Sequence, residues 1–233
     1  MFRRKKAVIR FRDRAEAGRC LAERLRHLTG TNSVVFALPR GGVPVGMPIA
    51  EALGAPLDLL LVRKIGAPGQ PELALGAVVD GEPPQTVLND QIIKCLSVPP
   101  GFIAQEVNRQ LEECERRRHL WMRGRSPIVP FGSTVILVDD GIATGATARA
   151  AILAIRRTAA ARLVLAVPVI SYEVAETLRP LCDQVLFLVE PHQLGSVGAF
   201  YDDFHQLTDE EMIGLLQNGL VWGRQDEHTG DPR

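Results

Sequence analysis

The run Val135-Ile136-Leu137-Val138 ends on two adjacent carboxylates, Asp139 and Asp140, and this junction constrains the chain more than any other segment. Four apolar, mostly β-branched residues read as a buried strand. Gly141 and Gly145 then permit a tight loop, Thr144 and Thr147 add hydroxyls, and a helix is predicted from about Ala146 through Ile155. Small residues let the amides of such a loop converge on a phosphate, where the helix N-terminus adds partial positive charge. Two aspartates do not favour a phosphate, because like charges repel. They call for sugar hydroxyls or a hydrated metal ion, and the combination points to a sugar phosphate. An ordinary strand–turn–helix junction with Asp as a cap accounts for one acid but not for the whole loop. The spacing of Gly141 and Gly145, with no Lys-Ser/Thr after them, excludes a Walker A loop.

The rest of the chain alternates short apolar runs with helical periodicity. Helices are predicted over 13–28 (Asp13 as cap, Gly30 as stop), 43–53, 102–123 and 172–178, and strands over 33–38, 57–62, 163–170 and 184–189. Residues 63–74, with Gly and Pro at close intervals, read as irregular. Leu75–Val79 and Thr86–Asn89 read as a short antiparallel hairpin. Arg116-Arg117-Arg118 reads as the solvated end of a helix, and a short amphipathic helix is expected from Thr208, before a frayed terminus. Such alternation implies an α/β fold, a Rossmann-like parallel sheet with helices on both faces, with ligands beyond the carboxyl ends of its strands.

Length bounds the organisation: 233 residues make one substantial domain, 1–233, with a core at about 30–205. Lys and Arg (27) balance Asp and Glu (27), which argues against nucleic acid as the main partner. No uninterrupted apolar stretch approaches a membrane span, and the basic start is followed by no apolar signal region. Cys20, Cys95, Cys114 and Cys182 are scattered, so a zinc site or disulfide framework is not expected; they read as ordinary buried or half-buried thiols in a cytoplasmic protein.

The segment 135–147 resembles the signature of type I phosphoribosyltransferases, which bind 5-phosphoribosyl 1-pyrophosphate (PRPP). That resemblance implies that Asp139 and Asp140 hold the ribose hydroxyls. The backbone of Ala143, Thr144, Gly145, Ala146 and Thr147, with the two Thr hydroxyls, would hold the 5-phosphate. Pro39-Arg40-Gly41-Gly42 after strand 33–38 resembles the family's pyrophosphate loop, implying pyrophosphate contact by Arg40 and Gly41 and an unusual cis peptide after the basic residue. The segment after strand 57–62 matches in place the mobile catalytic loop, with Arg63 and Lys64 at its base; a plain surface loop is the equal alternative. Residues 190–205, with N-terminal residues contributing, correspond to a small C-terminal hood over the acceptor, although Phe200, Tyr201 and Phe204 suit core packing better. His192 reads as structural or solvated.

The implied activity is Mg2+-dependent transfer of a phosphoribosyl group from PRPP to a nitrogen acceptor such as a nucleobase, releasing pyrophosphate. Magnesium would be held through PRPP and water near Asp139 and Asp140, with no direct protein ligand. Ala143 stands where hypoxanthine–guanine enzymes carry a third acid, which leaves the acceptor open. The oligomeric state is open too, with a homo-oligomer compatible with the sequence. The alternatives are a PRPP-sensing regulatory protein that does not turn its ligand over and, more remotely, another nucleotide-binding α/β protein.

Overall fold

A computed structural model describes residues 10–123 and 125–219. In chain order, helix α1 (Arg14–Leu25) begins at Asp13, whose carboxylate accepts from the Glu16 amide. Strand β1 (Ser33–Ala37), helix α2 (Gly42–Leu53) and strand β2 (Leu57–Leu59) follow. Strands β3 (Val62–Ala67), β4 (Gln70–Val79) and β5 (Gln85–Leu88) come next, then helices α3 (Asp90–Cys95) and α4 (Pro100–Met122). The chain continues through β6 (Thr134–Val138), α5 (Ala146–Ile155), β7 (Arg162–Val169), α6 (Tyr172–Leu178), β8 (Gln184–Val189) and α7 (Asp209–Gly219). Thr208 and Glu211 exchange side chain-to-amide hydrogen bonds at the start of α7, a capping box.

Five strands form a parallel sheet in the order β2-β1-β6-β7-β8, and three form an antiparallel sheet, β3-β4-β5. The pleat of the parallel sheet separates two cores. Val34, Phe36, Val135, Leu137, Leu163 and Leu165 pack under α5 and α6. Val35, Ile136, Val164 and Ala166 pack under α1 and α2. Both faces are buried, which is why β1, β6 and β7 are apolar at nearly every position. A third core lies between the antiparallel sheet, α4 and α7, around Ile65, Leu75, Val78, Trp121 and Met212.

The antiparallel sheet departs from expectation. Residues 57–62 do not form one strand: β2 ends at Leu59, and the chain leaves the parallel sheet to start β3 at Val62. Residues 63–74 are not irregular but make most of a β3–β4 hairpin. The breakers sit where a hairpin accommodates them. Gly69, at φ 69°, closes the turn between the paired residues Ala67 and Gln70, and Gly66 marks the register shift. The expected pairing of 75–79 with 86–89 is present as β4–β5. Helix α3 is an element the sequence reading does not contain.

The arginine run of α4 is only partly solvated. Arg116 is exposed, but Arg118 is buried and reaches two buried carboxylates. Its Nε donates to Asp80 (2.8 Å), its Nη1 to Asp58 (2.8 Å) and its Nη2 to the Leu59 carbonyl (2.7 Å). Asp58 also accepts from the Ile128 amide and Asp80 from the Leu61 amide. One guanidinium thus joins the edge strand of the parallel sheet to the residue that follows β4. Two of the four cysteines also differ from expectation: Cys20 and Cys95 are exposed, while burial pushes the Cys114 thiol up to about 12. The expected frayed terminus and the basic start up to residue 9 lie outside the described residues. Among the described residues no helix is long and apolar enough to cross a membrane.

Candidate active site

The site lies where β1 and β6 end side by side, paired in register from Ser33–Thr134 to Ala37–Val138. Asp139 and Asp140 follow Val138 directly, and Pro39-Arg40-Gly41 follows Leu38, so parallel pairing sets the two loops face to face. Asp139 Oδ1 accepts the Asp140 amide at 2.9 Å. Asp140 Oδ2 accepts Arg14 Nε at 2.8 Å, and the Tyr201 hydroxyl donates to the Asp140 carbonyl at 2.6 Å. Burial pushes both carboxyls above the usual range; the Asp140 charge adds to the push on Asp139, while Arg14 pulls Asp140 back down.

Gly41 is placed against this pair for want of space. Its φ and ψ, −63° and −30°, suit any residue, but a Cβ there would overlap Asp140 Oδ2. Gly41→Ala is therefore expected to displace the Asp140 carboxylate from Arg14 and to cost about 1–3 kcal/mol, as other overpacked positions do. Urea unfolding checks it, and a stability equal to the parent's would show the loop yielding instead of the carboxylate.

The loop after the pair runs through Ile142, whose amide donates to the Val169 carbonyl, to Gly145 at φ 77° and the start of α5. Ala143, Thr144, Ala146 and Thr147 are exposed. Among the described residues, the amides of 143–147 and the hydroxyls of Thr144 and Thr147 have no hydrogen-bond partner in the protein. These are free donors at a helix N-terminus, the arrangement that receives an anion.

Arg40 stands beside Asp140 but its guanidinium reaches the C-terminal segment, pairing with Asp209 at 2.9 Å and donating to the Leu207 carbonyl. The non-proline cis peptide is Pro39–Arg40, before the basic residue and not after it. Arg63 and Lys64 are strand residues of β3 on opposite faces. Arg63 donates to Gln110 of α4 at 3.0 Å and lines a small gap with Pro39 and Thr147. Lys64 pairs with Glu72 across the hairpin at 3.0 Å and lines a separate cavity with Thr147. Neither reaches the cleft that holds Asp140.

That cleft is a cavity of about 410 Å3 lined by Arg14, Arg40, Gly41, Arg117, Asp140 and Phe204, among others. Phe200 and Tyr201 pack into a core with Phe11 and Val169, as expected of them. The N-terminal segment meets this C-terminal tail, since the Phe11 amide donates to the Phe200 carbonyl. Phe204 stacks on Tyr201 (5.0 Å) and lies under the Arg14 guanidinium (3.9 Å). Nothing in the sequence singles out Arg14, which sits among the charged residues of an amphipathic helix, or Arg117, which sits in a charge run. His192 lies against the Tyr172 ring at 4.9 Å, away from the cleft.

A five-stranded parallel sheet flanked by a three-stranded antiparallel one, with paired acids and a Thr-Gly loop at its carboxyl edge, defines a type I phosphoribosyltransferase fold. The phosphoribosyl transferase domain model matches residues 13–199, and the chain belongs to that family. Two relatives from Mycobacterium tuberculosis, strains CDC 1551 and H37Rv, each bear the name "Putative phosphoribosyl transferase" and are 43% identical over 206 residues. The match covers 88% of this chain and 46% of theirs, so the chain spans about half the length of the curated relatives it matches. The crystal structure of TT1426 from Thermus thermophilus is similar at 41% identity and a TM-score of 0.77, covering 90% of this chain and 98% of that one.

Proposed function

We propose that this protein binds PRPP and transfers its phosphoribosyl group to a nitrogen of a small-molecule acceptor, releasing pyrophosphate. The observation that carries the reading is the juxtaposition of free donors at 143–147 with the half-buried acid pair at 139–140. The donors suit a 5-phosphate, and the acids suit the ribose hydroxyls. As the bond to pyrophosphate breaks, the ribose ring gains positive charge, as in glycosidic cleavage, and fixed carboxylates beside it favour that state. Most of the rate would come from holding the partners in place, with Gly41 giving the leaving group close access to the backbone.

Magnesium fits this set of residues only in one manner. The two acids are half-buried and pushed toward the neutral form, which a cation would reverse, but Asp140 already holds Arg14, and among the described residues no cluster of three or more acids, histidines or cysteines could cage a metal. The ion would be held through PRPP oxygens and water beside Asp139 and Asp140, neutralising pyrophosphate charge. The occupied Asp140 oxygen also favours a second reading, a PRPP sensor without turnover. A one-domain organisation, a cytoplasmic location and a small-molecule rather than nucleic-acid partner belong to the same proposal.

Thermal unfolding tests it. PRPP with Mg2+ at about 100 times its Kd should stabilise by ~2.7 kcal/mol and raise Tm by roughly 5–10 °C. No shift with PRPP, or a shift with ATP alone, would remove both readings. Pyrophosphate release across an acceptor panel then separates enzyme from sensor.

A further inference from the structure

Two residues of the arginine run on α4 have opposite fates. Arg118 is locked by Asp58, Asp80 and Leu59, whereas Arg117 is half-buried and, among the described residues, makes its one hydrogen bond to Glu113 one turn back, Nε to Oε1 at 2.6 Å. Such a pair within a helix contributes little and exchanges readily. Glu113 is not stranded when Arg117 leaves, because Arg116 binds the same carboxylate through two nitrogens, at 2.7 and 3.0 Å. Arg117 also lies over the Trp121 ring at 5.6 Å, and Arg40 lies over the same ring at 5.5 Å. Trp121 Nε1 donates to Asp209, which pairs with Arg40. One indole therefore carries two guanidinium groups to the mouth of one cleft.

The lining of that cleft shows what it lacks. Arg14, Arg40 and Arg117 face it, and among its described lining residues Asp140 is the only acid, already engaged by Arg14. Arg117 further lines the small gap bounded by Leu38, Pro39, Arg63 and Thr147, so it borders the 39–41 loop both at Pro39 and, in the cleft, at Arg40 and Gly41. A guanidinium that borders both hollows beside that loop suits an extended polyanion better than a compact monoanion.

We infer that Arg117, with Arg40, forms a clamp on Trp121 that takes the diphosphate group of the donor. The inference rests on the proposed PRPP site and adds a binding residue from a helix outside the signature loops.

Calorimetric titration of the full chain with magnesium pyrophosphate, PRPP and ribose 5-phosphate tests it. Arg117→Gln should raise the Kd for pyrophosphate and PRPP about tenfold to a hundredfold, as loss of a charge-assisted bond does, and leave that for ribose 5-phosphate within about twofold. Arg116→Gln should leave all three within about twofold. If Arg117→Gln does not fold, Arg117→Lys decides: charge is kept and the planar fork lost, so pyrophosphate should still weaken by roughly threefold or more. Unchanged pyrophosphate affinity overturns the clamp, as does an equal loss for ribose 5-phosphate or an equal effect of Arg116→Gln. A parent protein that binds ribose 5-phosphate but not pyrophosphate overturns the clamp and leaves the sugar-binding acids standing. One that binds none of the three overturns both.

Discussion

Replacing Asp139 and Asp140 together by Asn should lower pyrophosphate release by at least about 10^3-fold, because each preorganised charge at a developing cation is worth on the order of 10^2–10^3 in rate. The double variant confounds two effects, since Asp140→Asn leaves the guanidinium of Arg14, whose side chain is 10% exposed, without its anion. Asp139→Asn alone separates them. Among the described residues Asp139 has no ion-pair partner, and its Oδ1 contact to the Asp140 amide survives in Asn. Its carboxyl titrates higher in the folded protein than in the unfolded chain, through burial first and the Asp140 charge second. The folded state therefore retains its proton to higher pH, and ionising it costs stability as pH rises above the ordinary carboxylate range. Asp139→Asn should be more stable than the parent at neutral pH, no more stable near pH 4, and about 10^2-fold slower. Turnover and PRPP affinity both intact in the double variant would refute the roles given to the pair.

The second large effect concerns the buried triad. Arg118→Met removes the one cation shared by Asp58 and Asp80, leaving two uncompensated carboxylates, and should cost about 3–5 kcal/mol, a fall in Tm on the order of 10 °C. The loss should depend on pH. Asp80 titrates at about 6 in the folded protein, because burial raises it more than Arg118 lowers it. Protonated Asp80 contributes stability at acid pH that fades as pH climbs from about 4 to about 6. Without Arg118 that carboxyl rises further, so the deficit should be smallest near pH 5 and largest above neutrality. Urea unfolding at pH 5 and pH 8 gives the comparison. Equal losses at both, or a loss under about 1 kcal/mol, would show water entering the site and solvating the acids.

The parallel half of the molecule was legible from residues 33–53 and 135–189 because its signals are local: a buried strand reads as an apolar run, and the helices packed on it show their period. Asp139, Asp140 and the 143–147 loop were legible for the same reason, being contiguous. The β3–β4 hairpin was hidden because Gly66, Pro68, Gly69 and Pro71 punctuate it and the register shift breaks the period of Ile65, Ala67, Leu75 and Val78, which share a face only once α4 and α7 cover it. Arg118 was hidden by distance, its partners lying 38 and 60 residues away in sequence. Arg14 and Tyr201 reach Asp140 from 126 and 61 residues away, and charge or aromatic type on a helix or tail does not reveal such a meeting.

The triad also governs how freely the two sheets can part. Residues 60 and 61, the sole covalent passage from β2 into β3, are flanked by Leu59 and Asp80, both held by Arg118. Turning the antiparallel sheet outward about that passage would break charge-assisted bonds among buried groups, so the junction between the two sheets is stiff. The tail beside Asp140 is pinned by other means: the carbonyls of His205 and Leu207 accept from Arg14 and Arg40, Phe204 stacks on Tyr201, and Leu207 is buried.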